Sequence, residues 1–199
     1  DPYWIRGLAL ECTLMFRHRL PTIPSPADAL PGRAEVVEVP DAHYVNERSM
    51  VPPFRAGIET IILGMGCFWG AERVFWEHPG VWTTAVGYTG GHTPNATYEE
   101  VCSGRTGHNE VVFVAWDAAA ISLIDVLQIF WENHDPTQGM RQGNDVGTQY
   151  RSGIYVADDA QLASAESTRD TFASALADVG YGEITTEIVE RPTFFYDEE

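Results

Sequence analysis

The pattern of apolar and polar residues becomes regular from Ile58 onward and predicts alternating strands and helices. Five stretches have the length and apolar character of strands: Thr60–Leu63, Val81–Thr89, Asn109–Trp116, Ile154–Val156 and Glu183–Glu190. Three others repeat apolar residues at helical spacing: from Cys67 or Phe68 to before Pro79, from Ser122 through Trp131, and from Asp158 or Asp159 to about Asp178. Because the helices are few and the crossovers irregular, we predict an α+β fold, a two-layer α/β sandwich with long loops.

Residues 1–56 differ in composition from the rest of the chain. They hold eight of its 12 prolines, namely Pro2, Pro21, Pro24, Pro26, Pro31, Pro40, Pro52 and Pro53. Proline has no backbone N–H and disfavours helix at the residue before it. We therefore predict an extended N-terminal arm over residues 1–56 that wraps the surface of one domain over residues 57–199.

Composition excludes several classes of partner. The chain has 199 residues, and its 12 Lys and Arg against 29 Asp and Glu give a formal net charge of −17. This charge repels phosphate backbones and anionic lipid, and no apolar stretch is long enough to cross a bilayer. We expect no nucleic acid or membrane partner and a monomeric protein. Three cysteines are too few for a disulfide scaffold and indicate a reducing, cytoplasmic setting.

Cys67 is the first candidate for chemistry, because it lies between glycines where a strand passes into a helix. The unpaired N–H groups of a first helical turn favour a negatively charged sulfur. Spacing alone also allows a small buried residue that fills a turn. Phe68 and Trp69 follow directly and cannot both face one core stripe. One of them is expected to flank the cysteine, unless Trp69 belongs to the core.

Glu110 is the second candidate and lies in a predicted strand. If Val111, Phe113 and Ala115 face the core, alternation places Glu110 on the other face. A partly buried carboxyl beside apolar groups can act as an acid near neutral pH. The pattern alone favours a solvated strand glutamate.

A long polar, glycine-rich loop spans residues 133–151 between a helix and a strand. Loops of this length are often functional, and its tyrosine and aspartate can hydrogen-bond a polar ligand. The alternative is an Ω-loop held by its own side chains. The six histidines form no metal-binding spacing, and there is no C-x-x-C, so we expect no metal. A cysteine hydrolase stays open, although neither His108 nor His134 is marked as its base.

The run Gly66–Gly70 (GCFWG) resembles the signature of the methionine sulfoxide reductase A family, the peptide-methionine (S)-S-oxide reductases. The similarity covers nearly everything from Ser25 to Tyr196, and Ser25–Arg33 resembles the arm of a bacterial branch. Further matching runs include Gly87–Gly91, Tyr98–Cys102, Gly107–His108, Phe130–Pro136, Gly143–Asp145 and Gly147–Ser152. The resemblance implies an α+β sandwich with a ferredoxin-like core.

The resemblance implies thiol-dependent reduction of free and protein-bound methionine-S-sulfoxide to methionine, a repair of oxidised proteins. Cys67 would attack the sulfoxide sulfur and become a sulfenic acid. Glu110 would protonate the sulfoxide oxygen, and Tyr98 and Tyr150 would donate hydrogen bonds to it. A module that binds oxidised methionine without turning it over is the rival from another class.

The resemblance also implies how substrate and reductant are bound. Phe68 and Trp69 would form the pocket for the substrate's ε-methyl group, and Asp145 would hold the methionine backbone. No bound cofactor is implied, and thioredoxin or another thiol would be the external reductant. Many members carry resolving cysteines in a glycine-rich tail, whereas no cysteine follows Cys102 here. We therefore expect either that such a tail has been removed from this chain or that the sulfenic acid is reduced by an external thiol, with Cys102 as a further open alternative.

Overall fold

The computed structural model describes residues 21–197. The helices are α1 (Phe68–Trp76), α2 (Tyr98–Cys102), α3 (Leu123–Glu132) and α4 (Asp159–Asp178). The strands are β1 (Ile58–Met65), β2 (Val81–Thr89), β3 (Asn109–Asp117), β4 (Arg141–Gln142), β5 (Asp145–Val146), β6 (Ser152–Val156), β7 (Glu187–Glu190) and β8 (Phe195–Tyr196), with one 3₁₀ turn at Thr148–Tyr150. No helix within the described residues is long and apolar enough to cross a membrane.

Six strands form one mixed sheet in the order β7-β6-β1-β3-β2-β8. Its four central strands are antiparallel, with α1 connecting β1 to β2 and α3 lying between β3 and β6. This is the split β-α-β arrangement of a ferredoxin-like core. β7 extends the sheet in parallel beside β6, and β8 extends it in antiparallel beside β2. β4 and β5 form a separate small hairpin.

Both faces of the central strands are buried. On one face, α1, α3 and α4 cover a large cluster of sheet residues that includes Ile61, Leu63, Val112, Val114 and Trp116. On the other face, a smaller cluster includes Ile62, Ala85, Val111, Phe113, Ala115 and Tyr155. Met50 and Phe54 from the N-terminal segment and Phe194 and Tyr196 from the C-terminal segment pack against it. The predicted α+β sandwich is confirmed.

The described part of the predicted arm, residues 21–56, contains neither helix nor strand. Its polar contacts bind it to the sheet and its loops. The Leu30 N–H donates to the Arg105 carbonyl at 3.0 Å, and the Arg33 guanidinium pairs with Glu100 at 2.8 Å. Arg48 lies over the ring of Trp82, 4.5 Å from its centroid. The division of the chain into an arm and a catalytic domain stays a prediction.

Local sequence signals predicted most helices and strands correctly, and the structure differs from the prediction in four segments. The short helix α2 and the strand β8 were not predicted. The loop 133–151 was expected to lack regular structure but contains the β4–β5 hairpin and the 3₁₀ turn. The last long strand was predicted over Glu183–Glu190, and only Glu187–Glu190 is a strand. The segment before it is held elsewhere, since Thr185 bonds to the Pro136 carbonyl at 2.8 Å.

Candidate active site

Cys67 is the N-cap residue of α1, as its position between strand and helix predicted. It is half-buried and a free thiol, and its side chain bonds to none of the first N–H groups of the helix. Gly66 before it has a φ of +89°, and a Cβ there would lie 2.6 Å from Gln142. Glycine at this position therefore lets the β4–β5 hairpin close over the start of the helix.

Glu110 lies at the start of β3 and is only 1% exposed. The predicted alternation holds, but Glu110 shares its face with Val112 and Val114, the face beneath the helices. The interpretation as a solvated strand glutamate is therefore wrong, because helices cover the face that the sequence pattern left unassigned. Its Oε2 accepts a hydrogen bond of 3.3 Å from the Phe68 N–H, one residue after Cys67.

The electrostatic setting of Glu110 favours the protonated acid. Burial raises the pKa of Glu110 to about 7, and the Phe68 hydrogen bond opposes this rise. The charges of Asp197 and Asp145 raise it further. Among the described residues, its Oε1 is buried without a hydrogen-bond partner. The carboxyl therefore has one anchored oxygen and one oxygen left for a reacting group.

Aromatic rings form a wall beside the start of α1. Phe68 is buried, whereas Trp69 is 48% exposed, so Trp69 is not part of the core. The Trp69 and Tyr98 rings stack with centroids 6.0 Å apart and planes 15° from parallel. Phe68 lies 6.0 Å from Trp69 and 6.5 Å from Tyr98. This group of three rings offers an apolar surface suited to a small alkyl group.

Helix α2 positions Tyr98 and brings Cys102 beside it. A capping box holds the helix start: the Thr97 side chain accepts from the Glu100 N–H, and the Glu100 side chain accepts from the Thr97 N–H. The spacing T-x-x-E was present in the sequence and could have revealed this helix. A hydrogen bond to the Cys102 thiol, together with burial, raises the pKa of Tyr98 well above its ordinary value. Tyr98 thus stays a hydrogen-bond donor at neutral pH.

The loop 133–151 brings Asp145 and Tyr150 to the same site. The loop is held by its own side chains, as the Ω-loop interpretation expected: Gln142 bonds both backbone groups of Asp135, at 3.0 and 3.1 Å. Burial, followed by the charge of Glu110, raises the pKa of Tyr150 to about 12. Asp145 is exposed on the hairpin, and its charge acts on both Glu110 and Tyr150. The loop can therefore be an Ω-loop held by its own side chains and also carry residues of the candidate site.

The structure thus brings every predicted site residue into one region, and this region also contains two polar residues that the sequence reasoning did not single out. These are Tyr88 and Asp197, whose side chains are hydrogen-bonded to each other. Tyr88 lies in one of the glycine-rich runs that were singled out, but no local pattern marked Asp197. Cys12 lies outside the described residues. Within residues 21–197, no three histidine, cysteine or carboxylate side chains group as a metal site.

The two histidines weighed as hydrolase bases are both engaged in the structure. His108 is buried, and its Nε2 bonds to the Thr93 carbonyl at 2.7 Å. His134 bridges the Phe130 carbonyl and the Ser152 hydroxyl, at 2.8 and 2.7 Å. These contacts tie each ring to backbone and loop groups. They do not favour either ring as a partner of Cys67.

The chain is similar to known proteins over most of its length. The family described as "Peptide methionine sulfoxide reductase" matches residues 59–199. The protein named "Peptide methionine sulfoxide reductase MsrA" from Rhodospirillum centenum is 60% identical over 185 residues, which are 93% of this chain and 84% of that protein.

Solved structures show the same fold. Methionine sulfoxide reductase A of Corynebacterium diphtheriae has a TM-score of 0.84 and 42% identity, covering 89% of this chain and 87% of its own. Mxr1 from Saccharomyces cerevisiae, solved in complex with Trx2, has a TM-score of 0.55 and 23% identity, covering 75% and 86%.

Proposed function

The chain belongs to the peptide methionine sulfoxide reductase family, and from this premise we propose that Cys67 attacks the sulfoxide sulfur while Glu110 supplies the proton. The overall reaction is the reduction of methionine sulfoxide to methionine at the expense of thiols. The observation that carries the proposed roles is the hydrogen bond from the Phe68 N–H to Glu110. It ties a buried acid to the residue that follows the nucleophile.

In the first step, the sulfoxide oxygen is transferred from the substrate sulfur to the Cys67 sulfur. The thiolate attacks the sulfoxide sulfur and forms an S–S bond while the sulfoxide oxygen accepts the proton of Glu110. The resulting hydroxyl group then moves to the Cys67 sulfur as the substrate S–O bond and the S–S bond break. Methionine leaves and Cys67 becomes a sulfenic acid, so one thiol and one sulfoxide give one sulfenic acid and one thioether. A proton on Oε1 of Glu110 is suited to this transfer, because Oε2 is held by the backbone.

Tyr98 and Tyr150 are proposed to donate hydrogen bonds to the same oxygen. Both are close enough to Glu110 for its charge to raise the pKa of each hydroxyl, so both remain protonated at neutral pH. Preorganised donors stabilise charge that develops on an oxygen in the transition state. The two tyrosines approach from separate elements, α2 and the 3₁₀ turn.

The substrate side chain is proposed to lie against the rings of Phe68 and Trp69. Their apolar surface suits the ε-methyl group, and the exposure of Trp69 allows a methionine within a peptide to reach it. Asp145 is proposed to accept a hydrogen bond from the substrate backbone, since it is an exposed carboxylate on the hairpin beside Cys67. Both free and protein-bound methionine-S-sulfoxide are the proposed substrates.

Thioredoxin is the proposed physiological reductant. Two thiols convert the sulfenic acid to a thiol and water, forming one disulfide. Mxr1, which shares this fold, was solved with Trx2 bound, and this supports a protein dithiol as the donor. A reducing compartment such as the cytoplasm would keep Cys67 and Cys102 as free thiols, their form in the structure.

A single-turnover assay without reductant tests the proposed chemistry. The protein is mixed with one equivalent of methionine-S-sulfoxide, and methionine, free thiols and dimedone adducts are measured. We expect methionine to form together with a sulfenic acid or its derived disulfide at Cys67. Cys67→Ser should form no methionine, whereas a module that only binds oxidised methionine would retain its affinity. Methionine release with an intact Cys67 thiol would contradict the proposal.

A further inference from the structure

A second carboxyl group, Asp197, is buried in the same region as Glu110. Asp197 is 6% exposed and Glu110 is 1% exposed. Isolated buried carboxylates are costly, so a pair of them in one place requires an explanation. The mechanism proposed above does not use Asp197.

Strand pairing determines where Asp197 lies. Tyr88 on β2 is directly opposite Glu110 on β3 and, on its other side, directly opposite Phe195 on β8. Asp197 follows β8, and its N–H donates to the Val86 carbonyl at 3.2 Å. The buried Tyr88 hydroxyl donates to Asp197 Oδ1. Tyr88 thus connects strand β3, which carries Glu110, to Asp197.

The charge of Asp197 acts on the catalytic region. Burial is the largest cause of the raised pKa of both Glu110 and Cys102, and the charge of Asp197 raises each further. A hydrogen bond donated to a carboxylate favours its ionised form, and this is the bond that Tyr88 makes to Asp197. Among residues 21–197, the other titratable groups whose charges couple to Glu110 are Asp145 on the hairpin, Tyr98 and Cys102 on α2 and Tyr150 on the 3₁₀ turn.

We propose that Asp197 is a positioning residue for the reaction: its carboxylate, held by Tyr88, keeps Glu110 in the protonated form that donates to the sulfoxide oxygen. Two carboxyl groups that share one site cannot both ionise readily. Both carboxyl groups accept a hydrogen bond, but Glu110 is the more deeply buried of the two and its bond from the Phe68 N–H is long, at 3.3 Å. We therefore place the negative charge on Asp197 and the proton on Glu110. This inference rests on the proposed role of Glu110 as the acid.

The test is the pH dependence of the single-turnover rate of methionine formation. Protonated Glu110 predominates below its pKa, so the rate should fall as pH rises above about 7. Asp197→Asn retains an acceptor for Tyr88 and removes the charge. The part of the pH–rate profile in which the rate falls with rising pH is called the falling limb. In Asp197→Asn we expect the midpoint of the falling limb to lie roughly half a pH unit or more lower, so the rate at pH 8 should be about threefold lower.

Two further measurements keep the test decisive. Asp197→Ala removes the same charge by a different change and should shift the limb in the same direction, which covers the case in which Asp197→Asn does not fold. A ¹³C NMR titration of the glutamate carboxyls reports the pKa of Glu110 without any turnover. Glu166→Gln is the matched control, because it removes one negative charge from an exposed site on α4 and should leave the limb in place.

The outcomes separate the two proposals. If the limb persists in Glu110→Gln, it does not belong to Glu110 and the proposed acid role fails. If Glu110→Gln abolishes the limb but both Asp197 variants leave the limb and the Glu110 titration unchanged, the acid role stands and the inference on Asp197 is overturned. A shift of the same size in Glu166→Gln would also overturn it, because net charge alone would then explain the effect.

Discussion

Glu110 shows how one residue acquires a chemical property from its surroundings. Its covalent structure is that of an ordinary glutamate, but burial and two neighbouring carboxylates raise its pKa to about 7. The backbone N–H of Phe68 anchors one oxygen and orients the other. An acid with a pKa near the working pH is protonated often enough to donate and transfers its proton readily.

Replacing Glu110 with glutamine should slow the chemical step by roughly 10²–10⁴-fold, because glutamine keeps the shape and cannot donate an acidic proton. Substrate affinity should change little, since the amide oxygen of the new side chain could still accept from the Phe68 N–H. Single-turnover rates at several sulfoxide concentrations separate the two quantities. Glu99→Gln, at an exposed position on α2, is the matched control and should react normally. A loss of affinity with an unchanged maximal rate would remove Glu110 from the chemistry.

At the scale of elements, short pieces of structure carry the site residues, and local contacts hold those pieces. Helix α2 has only five residues, and such a helix is unstable without its capping box. The loop 133–151 depends in the same way on His134, which joins the end of α3 to β6. Weakening either contact should affect the placement of a tyrosine.

Thr97→Ala should lower the free energy of unfolding by about 1 kcal/mol, because the Glu100 N–H loses its side-chain acceptor. Tyr98 should also be held less firmly, so the single-turnover rate should fall. Urea denaturation and the rate assay measure the two effects. Ser174→Ala, at an exposed helical position, is the control and should be neutral or slightly stabilising. An unchanged unfolding midpoint in Thr97→Ala would contradict the role of the cap.

His134 should make the protein less stable in mild acid. Burial lowers the pKa of His134 to about 4, so the folded protein binds this proton less readily than the unfolded chain does. Its contribution to stability is therefore complete above about pH 6.5 and is lost as pH falls toward 4, on the order of 3 kcal/mol. Urea unfolding of wild-type protein and His134→Gln across this range should show the weaker pH dependence in the variant. Equal slopes in the two proteins would contradict this prediction.

At the scale of the whole molecule, the N-terminal segment is bound to the sheet by a continuous chain of hydrogen bonds. His43 Nδ1 accepts from the Val45 N–H at 3.0 Å, so the neutral ring carries its proton on Nε2. Nε2 lies 2.9 Å from the Thr84 hydroxyl, which donates to Glu72 at 2.8 Å. The chain thus connects the arm to β2 and to α1, the helix that begins after Cys67.

His43→Ala should destabilise the protein by about 1–3 kcal/mol, because it leaves the buried partners of the ring without hydrogen bonds. It should also speed proteolytic cleavage within residues 39–50, which lose their anchor. Thermal unfolding and limited proteolysis with mass mapping measure both effects. Tyr44→Ala, at the fully exposed neighbouring position, is the control. Equal cleavage rates in the two variants would show that His43 does not hold the segment.

Local signals in the sequence determined the elements with clear boundaries. The Asp158 cap and the Gly180 stop of α4 lie where they were predicted, because a helix cap is a contact within a few residues. The GCFWG run likewise marked Cys67, Phe68 and Trp69 as candidate site residues. Strand alternation correctly separated Glu110 from Val111 but did not show which face the helices cover.

Only the tertiary structure decided how these residues work together. Glu110 meets Phe68 across 42 positions of sequence, and Asp197 meets Tyr88 across 109. Sheet pairing and helix packing create both contacts, and no local pattern encodes either. The raised pKa of Glu110 has the same origin, since desolvation and neighbouring charge depend on what the completed fold places around a carboxyl. The sequence therefore determined which groups are present, and the fold determined their protonation and their partners.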